Sequence, residues 1–218
     1  MDVKVLFLIV IYSILIQNFI LSRFLGLCPF FGCSQKISSA VGMGLAVVFV
    51  MVLASAMTWI ADTYLLDPAT SIVGIFTGKE GQGAPNLTFL RTLTFIVMIA
   101  TLVQLIEMFL QKKIPALYRA LGIFLPLLTT NCAVLGVAML NIQGFSAIGI
   151  YTKLTFIQSI LQGAAGGIGY LLVLFLMAGL RERLDLVTIP ESMKGIPVAC
   201  ITGGLMALAF MGFAGLSF

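Results

Sequence analysis

The chain has 218 residues, of which 61% are hydrophobic and 9% are charged, and its formal net charge is +4. A soluble domain carries about 45–50% apolar and about 25% charged residues, so this chain is too apolar to present a well-solvated surface. Soluble enzymes, nucleic-acid-binding proteins and disordered scaffolds are therefore excluded, and membrane lipid is the expected surrounding.

Six apolar runs reach about the 20 residues that a spanning helix needs. In chain order they are Val5–Ser22, Ser39–Ala61, Leu87–Leu110, Leu121–Leu140, Leu154–Leu180 and Ile196–Phe218. The sequence therefore predicts an all-α integral membrane protein with six transmembrane helices in a single membrane domain, 1–218. The longest connector, Asp62–Asn86, carries Asp67-Pro68 and many glycines, which predicts a loop.

Lysine and arginine are distributed unequally between the connectors. The first, third and fifth connectors hold eight of them, and the N-terminus with the second and fourth connectors holds four. Cytoplasmic connectors of membrane proteins carry the excess of these residues. The odd connectors are therefore predicted in the cytoplasm and both termini on the outer side. The basic residues indicate topology and not a nucleic-acid-binding surface.

The first apolar region is interrupted beside a cysteine. Arg23 stops the apolar run, and Gly26, Pro29 and Gly32 then cluster around Cys28. Proline and glycine disfavour a continuous helix. We expect a full first helix followed by a short, broken re-entrant piece that packs against protein, because its free backbone groups cannot face lipid.

The fourth apolar region repeats this pattern. The polar run Thr129-Thr130-Asn131 directly precedes Cys132, and Gly136 follows the cysteine by four residues, as Gly32 follows Cys28. The match predicts two halves, approximately 1–113 and 114–218, each with three helices. Since each half crosses the membrane an odd number of times, the halves are inverted repeats. Interrupted helices at corresponding positions of such repeats indicate the functional site.

The two matched cysteines are the candidate metal ligands. No histidine is present, so redox or metal chemistry depends on cysteine or oxygen ligands. Two sulfurs are too few for an iron–sulfur cluster, which normally takes four, so a partner chain would supply the others. Helix-end N–H groups and the side chains of Thr129, Thr130 and Asn131 are candidate donors to the sulfurs. Simple packing of free cysteines remains the alternative, and it is our interpretation of Cys33 and Cys200.

Two further features have a functional and a structural interpretation. Glu107 is an intramembrane carboxylate, which makes it a candidate for an ion path, although a structural ion pair with Lys112 or Lys113 is favoured. The glycine-rich run 163–169 lacks the lysine and the preceding strand of a nucleotide-binding loop, so it indicates close helix packing.

Three stretches, Asn18–Gly32, Leu121–Gly136 and Ile201–Phe210, make the sequence similar to a known family. They closely resemble the A subunit of the Rnf ion-translocating electron-transport complex. The E subunit of the Na⁺-translocating NADH:quinone oxidoreductase is similar. The motifs Leu27-Cys28-Pro29-Phe30 and Thr130–Leu135 resemble the Rnf protein more than its relative. The resemblance covers nearly the whole chain.

The resemblance implies a function for the two cysteines. Cys28 and Cys132 are expected to ligate a [2Fe–2S] cluster that is shared with the E subunit of Rnf and relays electrons within the membrane. The expected surrounding residues are Gly26, Leu27, Pro29, Thr130, Asn131 and Ala133. The complex, completed by the B, C, D and G subunits in a bacterial inner membrane, transfers electrons between ferredoxin and NAD⁺ and moves Na⁺ or H⁺.

Three alternatives remain open at the level of sequence. The chain is an electron-relay component of the quinone-reductase type, a secondary transporter built from inverted repeats, or a scaffold whose cysteines only pack. A transporter predicts a colourless protein that functions without a partner chain and tolerates loss of its cysteines.

Overall fold

The structure, a computed structural model, describes residues 3–66, 88–113, 131–143, 154–187, 190 and 195–212. Over these ranges the chain is helical and forms no β-strand, as predicted. The helices are α1 Val3–Ile11, α2 Leu27–Cys33, α3 Ile37–Ala61, α4 Thr88–Lys113, α5 Cys132–Gln143, α6 Phe156–Leu184 and α7 Ile196–Met211. Both α1 and α3 continue into a π-helical turn, at Tyr12–Ile16 and Asp62–Leu66 respectively.

The first helix is shorter than predicted. It ends with its π-helical turn at Ile16, so the prediction that it continues to Ser22 is wrong. Asn18 explains the early end, because its Oδ1 accepts a backbone N–H two residues on at 3.1 Å and its Nδ2 donates to the C=O of Gly169 at 2.9 Å. A side chain that bonds to the backbone in this way competes with the helix.

The other boundaries follow the predicted segments more closely. The short separate piece around Cys28 is present as the seven-residue α2. The connector prediction is wrong for Asp62–Leu66, which continues the preceding helix, while 67–87 lie outside the described residues. Of the fourth predicted segment, the described part begins at Asn131.

Helices α3 and α6 form an antiparallel pair at the centre of the molecule. Near one end, the backbone N–H of Ile37 donates to Oε1 of Glu182 at 3.2 Å. Near the other end, Nε1 of Trp59 donates to the C=O of Leu154 at 2.8 Å. Two helical stretches in the described part of the chain, Ile37–Tyr64 and Phe156–Leu184, are long and apolar enough to cross a membrane by length and composition.

Glycines allow these two helices to pack closely. A β-carbon on Gly163 would lie 2.9 Å from the C=O oxygen of Met51, and one on Gly167 would lie 2.8 Å from Cα of Val48. The prediction that the run 163–169 serves helix packing is therefore confirmed.

The outer surface is strongly apolar. Large hydrophobic side chains are exposed on several helices, including Phe7, Leu45, Phe49, Val97, Leu205 and Leu208. Soluble monomers rarely expose apolar patches on this scale. Lipid or other membrane proteins therefore surround these helices.

Candidate functional site

The two cysteine-bearing breaks meet in the structure. Gly26, two residues before Cys28, has a left-handed backbone with φ of +78°. A β-carbon on Gly26 would lie 2.8 Å from Oδ1 of Asn131 and 3.2 Å from the β-carbon of Ala133. Those two residues flank Cys132. Glycine is required here because any L-residue would be strained and would clash. We call this contact region, residues 26–29 and 131–133, the cysteine junction.

Each cysteine of the junction lies in the first turn of a helix. Cys28 is the second residue of α2, and Cys132 is the first residue of α5. Asn131 caps α5, since its Oδ1 accepts the N–H of Ala133 at 3.0 Å and its C=O accepts the N–H of Val134 at 3.1 Å. First-turn N–H groups lack acceptors within their own helix. At the start of α5, Asn131 itself accepts two of these groups, the N–H groups of Ala133 and Val134.

The two sulfur-bearing residues are exposed, although their neighbours are not. Cys28 and Cys132 are both exposed in the chain. The neighbouring junction residues are buried or partly buried: Gly26, Leu27, Pro29, Asn131 and Ala133. Pro29 occupies the first turn of α2, where its missing N–H removes no helical hydrogen bond, so the interruption falls at Gly26 instead. The two cysteines thus lie at the surface of the chain, next to buried or partly buried neighbours.

Tyr170 of α6 lies directly behind the cysteine junction and is 0% exposed. Its hydroxyl donates to the C=O of Gly26 at 3.0 Å. Its Cε2 would lie 2.9 Å from a β-carbon on Gly26. Nδ2 of Asn131 is also buried here and has no hydrogen-bond partner among the described residues. Sequence reasoning missed Tyr170, because a tyrosine in an apolar helix belongs to no recognisable motif.

The segment 17–25, which leads to Cys28, is not helical and packs between α5 and α6. The ring of Phe19 would lie 2.7 Å from a β-carbon on Gly166 and 3.3 Å from one on Gly136. Cδ1 of Leu25 would lie 2.7 Å from the β-carbon on Gly136. The glycine that follows Cys132 by four residues therefore makes room for the segment that carries the other cysteine.

Phe24, within the segment 17–25, has a strained backbone. Its φ of +55° is in the left-handed region, which costs a non-glycine residue roughly 1–2 kcal/mol. Two hydrogen bonds hold the turn: the N–H of Phe24 donates to the C=O of Ile20 at 3.1 Å, and the N–H of Leu25 donates to the C=O of Phe19 at 2.8 Å. Strain of this kind persists where the surroundings fix the conformation, so the approach to Cys28 is well determined.

Arg181 of α6 forms hydrogen bonds at the C-terminal end of α2. Its Nη1 donates to the C=O of Phe31 and to Oγ of Ser34, both at 2.9 Å. A guanidinium at a helix C-terminus satisfies free carbonyls and complements the helix dipole. The sequence did not predict this role for Arg181, because its partners lie far away along the chain.

The remaining candidates contribute less to the junction. Thr129 and Thr130 lie outside the described residues, so their roles stay predictions. The backbone of Glu107 lies in α4, and its role in an ion path or ion pair also stays a prediction. Cys33 is 1% exposed in the apolar core, as expected for a packing residue, and Cys200 is exposed on α7.

A second group of buried polar side chains links α1, α3, α5 and α6 away from the junction. Its members are Ser13, Ser55, Asn141, Ser159 and Gln162. Nδ2 of Asn141 donates to Oγ of Ser55 at 2.7 Å, and Ser13 donates to Gln162. Such bonds hold helices together within a membrane.

The donor set of the cysteine junction fits half of a sulfur-ligated centre. In the part of the chain that the structure describes, no group of three or more His, Cys, Asp or Glu residues could hold a metal ion. The junction instead offers two exposed cysteines and the buried Nδ2 of Asn131, which has no hydrogen-bond partner among the described residues. An iron–sulfur cluster takes four cysteines, and exposure leaves room for a second chain to bring two.

Comparison with known proteins identifies the family. Residues 6–217 match the family model of the Rnf-Nqr subunit, described as a membrane protein. The chain belongs to the Rnf-Nqr family. The resemblance that three stretches of sequence indicated is thereby confirmed, and both cysteines of the junction lie in the matched range.

Individual relatives in this family are similar over their whole length. The chain is 50% identical over 214 residues to the A subunit of the ion-translocating oxidoreductase complex of Syntrophotalea carbinolica, with 98% of each chain covered. It is 46% identical over 211 residues to the A subunit of the Na⁺-translocating ferredoxin:NAD⁺ oxidoreductase complex of Acetobacterium woodii, with 97% of each covered. It is 49% identical over 209 residues to the A subunit of the ion-translocating oxidoreductase complex of Salmonella arizonae, with 96% of each covered.

Proposed function

We propose that this chain is the A subunit of an ion-translocating ferredoxin:NAD⁺ oxidoreductase complex in a bacterial inner membrane, where it relays electrons. Its relatives from Syntrophotalea, Acetobacterium and Salmonella are named as the A subunits of ion-translocating oxidoreductase complexes and match it end to end. The chain performs no bond chemistry alone. The reaction and the movement of Na⁺ or H⁺ belong to the complex, which the B, C, D, E and G subunits complete.

Within this complex, Cys28 and Cys132 hold one side of a [2Fe–2S] cluster, and the E subunit supplies the other two ligands. The observation that carries the proposal is the contact of Gly26 with Asn131 and Ala133, which brings the two cysteine-bearing segments together. When bound, such a cluster accepts and releases single electrons. The exposure of both cysteines supports a site completed by a second chain.

The other junction residues position the two cysteine-bearing segments. Asn131 fixes where α5 begins by capping it, and Gly26 fixes where α2 begins. Pro29 and Ala133, each next to a cysteine in the sequence, are buried and give the site apolar neighbours. Leu27 is partly buried. Thr130 precedes Asn131 in the sequence, and its proposed role is that of a further donor.

We also propose that the six helices form two inverted repeats, 1–113 and 114–218. The antiparallel pairing of α3 with α6 supports this, because each follows a cysteine break and equivalent elements of inverted halves run in opposite directions. The segment 17–25 completes the first crossing without a helix. Phe19, Ile20 and Leu21 in it are at most 3% exposed, as irregular backbone at membrane depth must be.

The contacts between connectors support the proposed orientation. Arg181, in the last turn of α6, bonds to Phe31 near the end of α2 and to Ser34 in the turn that follows, so the first and fifth connectors share one face. Trp59, at the end of α3, bonds to Leu154 before α6, so the second and fourth share the other. The excess of Lys and Arg on the first face supports a cytoplasmic location for that face and an outer location for both termini.

The test is carried out on the whole complex purified under exclusion of oxygen. Cys28→Ala and Cys132→Ala are each expected to remove the electron paramagnetic resonance signal and the iron of one cluster and to abolish electron transfer. Cys200→Ala removes an exposed cysteine elsewhere and is the matched control, with iron and signal unchanged. Full iron content and electron transfer in both junction variants would contradict the proposal and favour a transporter or a scaffold.

A further inference from the structure

We infer, resting on the proposed function, that Tyr170 is a positioning residue whose hydroxyl sets the relative placement of the two cysteine-bearing segments, and thereby the electronic properties of the cluster, without binding it.

The hydroxyl of Tyr170 anchors the first segment at its starting point. It donates to the C=O of Gly26 at 3.0 Å. The same C=O accepts the N–H of Phe30 at 3.4 Å, which is a long bond. The stronger restraint on the peptide that precedes Cys28 by two residues therefore comes from α6 and not from α2 itself.

The same side chain borders the second segment. Asn131 and Tyr170 both border the space of the missing Gly26 side chain, since a β-carbon there would lie 2.8 Å from Oδ1 of Asn131 and 2.9 Å from Cε2 of Tyr170. Asn131 is 4% exposed and its Oδ1 is committed to capping α5. Its Nδ2 has no hydrogen-bond partner among the described residues, which leaves one donor at the junction for a bound group.

Helix α6 fixes the position of Tyr170. The preceding residue, Gly169, packs closely against Ile14, since a β-carbon on Gly169 would lie 3.1 Å from the C=O oxygen of Ile14. The C=O of Gly169 also accepts a hydrogen bond from Nδ2 of Asn18 at 2.9 Å. Val173 is 0% exposed on the same helix. The hydroxyl is therefore a fixed point, and its loss frees Gly26 to move relative to Asn131 while the ring stays in place.

The experiment compares Tyr170→Phe with Tyr64→Phe in the whole complex. Tyr64 is 56% exposed and lies in the π-helical turn that follows α3. It is about 40 Å along the helix axis from Ile37, the residue at which α3 begins next to α2, so its hydroxyl is remote from the junction. Tyr170→Phe is expected to assemble with full iron content but with shifted g values and a shifted midpoint potential. Tyr64→Phe is expected to match the unmodified complex in both.

An assembled Tyr170→Phe complex with unchanged g values and potential would overturn the inference. Should that variant fail to assemble, Asn131→Ser provides the same test from the second segment, since serine keeps a cap on α5 but removes the amide. An unchanged potential in Asn131→Ser would then overturn it. A signal that survives in Cys28→Ala and Cys132→Ala overturns the proposed function instead, so the two failures are distinguishable.

Discussion

Gly26 and Asn131 approach so closely that a β-carbon on Gly26 would lie 2.8 Å from Oδ1 of Asn131. The two residues come from different predicted halves of the chain, and each directly precedes a helix that carries a cysteine in its first turn. Their contact makes the backbone at Gly26 the most sensitive point of the cysteine junction.

Gly26→Ala is expected to lower the stability of the complex and its iron content together. Alanine at φ of +78° costs about 1–2 kcal/mol, and its β-carbon would also clash with Asn131 and with Tyr170. Gly42→Ala in α3 is the control, because a β-carbon there meets nothing within 4 Å. The melting temperature and the iron per complex are measured for both variants. Equal values would contradict the proposal that the close contact at Gly26 is needed for stability and iron binding.

Asn131→Ala is expected to destabilise α5 by about 1 kcal/mol, since the helix loses its N-terminal cap. Asn131→Ser retains an oxygen that can accept the same N–H and is expected to stay near the melting temperature of the unmodified complex. A melting temperature that falls equally in both variants would show that the cap is not what Asn131 contributes.

Arg181→Gln is expected to destabilise the end of α2 by about 1–3 kcal/mol, because two charge-assisted hydrogen bonds to Phe31 and Ser34 are lost. Arg183→Gln removes the same charge from an exposed position in the same turn of α6 and is expected to change stability by less than about 0.5 kcal/mol. Thermal melting of the complex separates the two, and an equal loss would mean that only net charge matters.

Gly163→Ala is expected to push α3 and α6 apart, since its β-carbon would lie 2.8 Å from the β-carbon of Ser55 and 2.9 Å from a backbone oxygen. Overpacking of this kind costs about 1–3 kcal/mol. Gly179→Ala in the same helix meets nothing within 4 Å and is expected to be neutral or stabilising. If both variants melt at the same temperature, the close approach of the two helices is not required.

Much of the site could be predicted from sequence because its parts are local. Glycine and proline around Cys28, and Asn131 before Cys132, determine where helices begin through backbone preferences that each residue carries by itself. The close packing at Gly163 was foreseen for the same reason.

What the sequence could not reveal depends on partners far away in the chain. The end of the first helix is set by Asn18, whose bond to Gly169 exists only once α6 is in place. Tyr170 and Arg181 likewise act through backbone groups of α2. A single sequence does not fix helix rotation, and so it does not show which side chains of α6 face the junction.

A cryo-electron microscopy map of the whole complex would show whether Cys28 and Cys132 share one cluster. We expect continuous density that joins Sγ of Cys28 and Sγ of Cys132 to two cysteine sulfurs of a neighbouring protein chain. Sulfur atoms of Cys28 and Cys132 that point apart, with side chains or lipid between them and no shared density, would contradict the account.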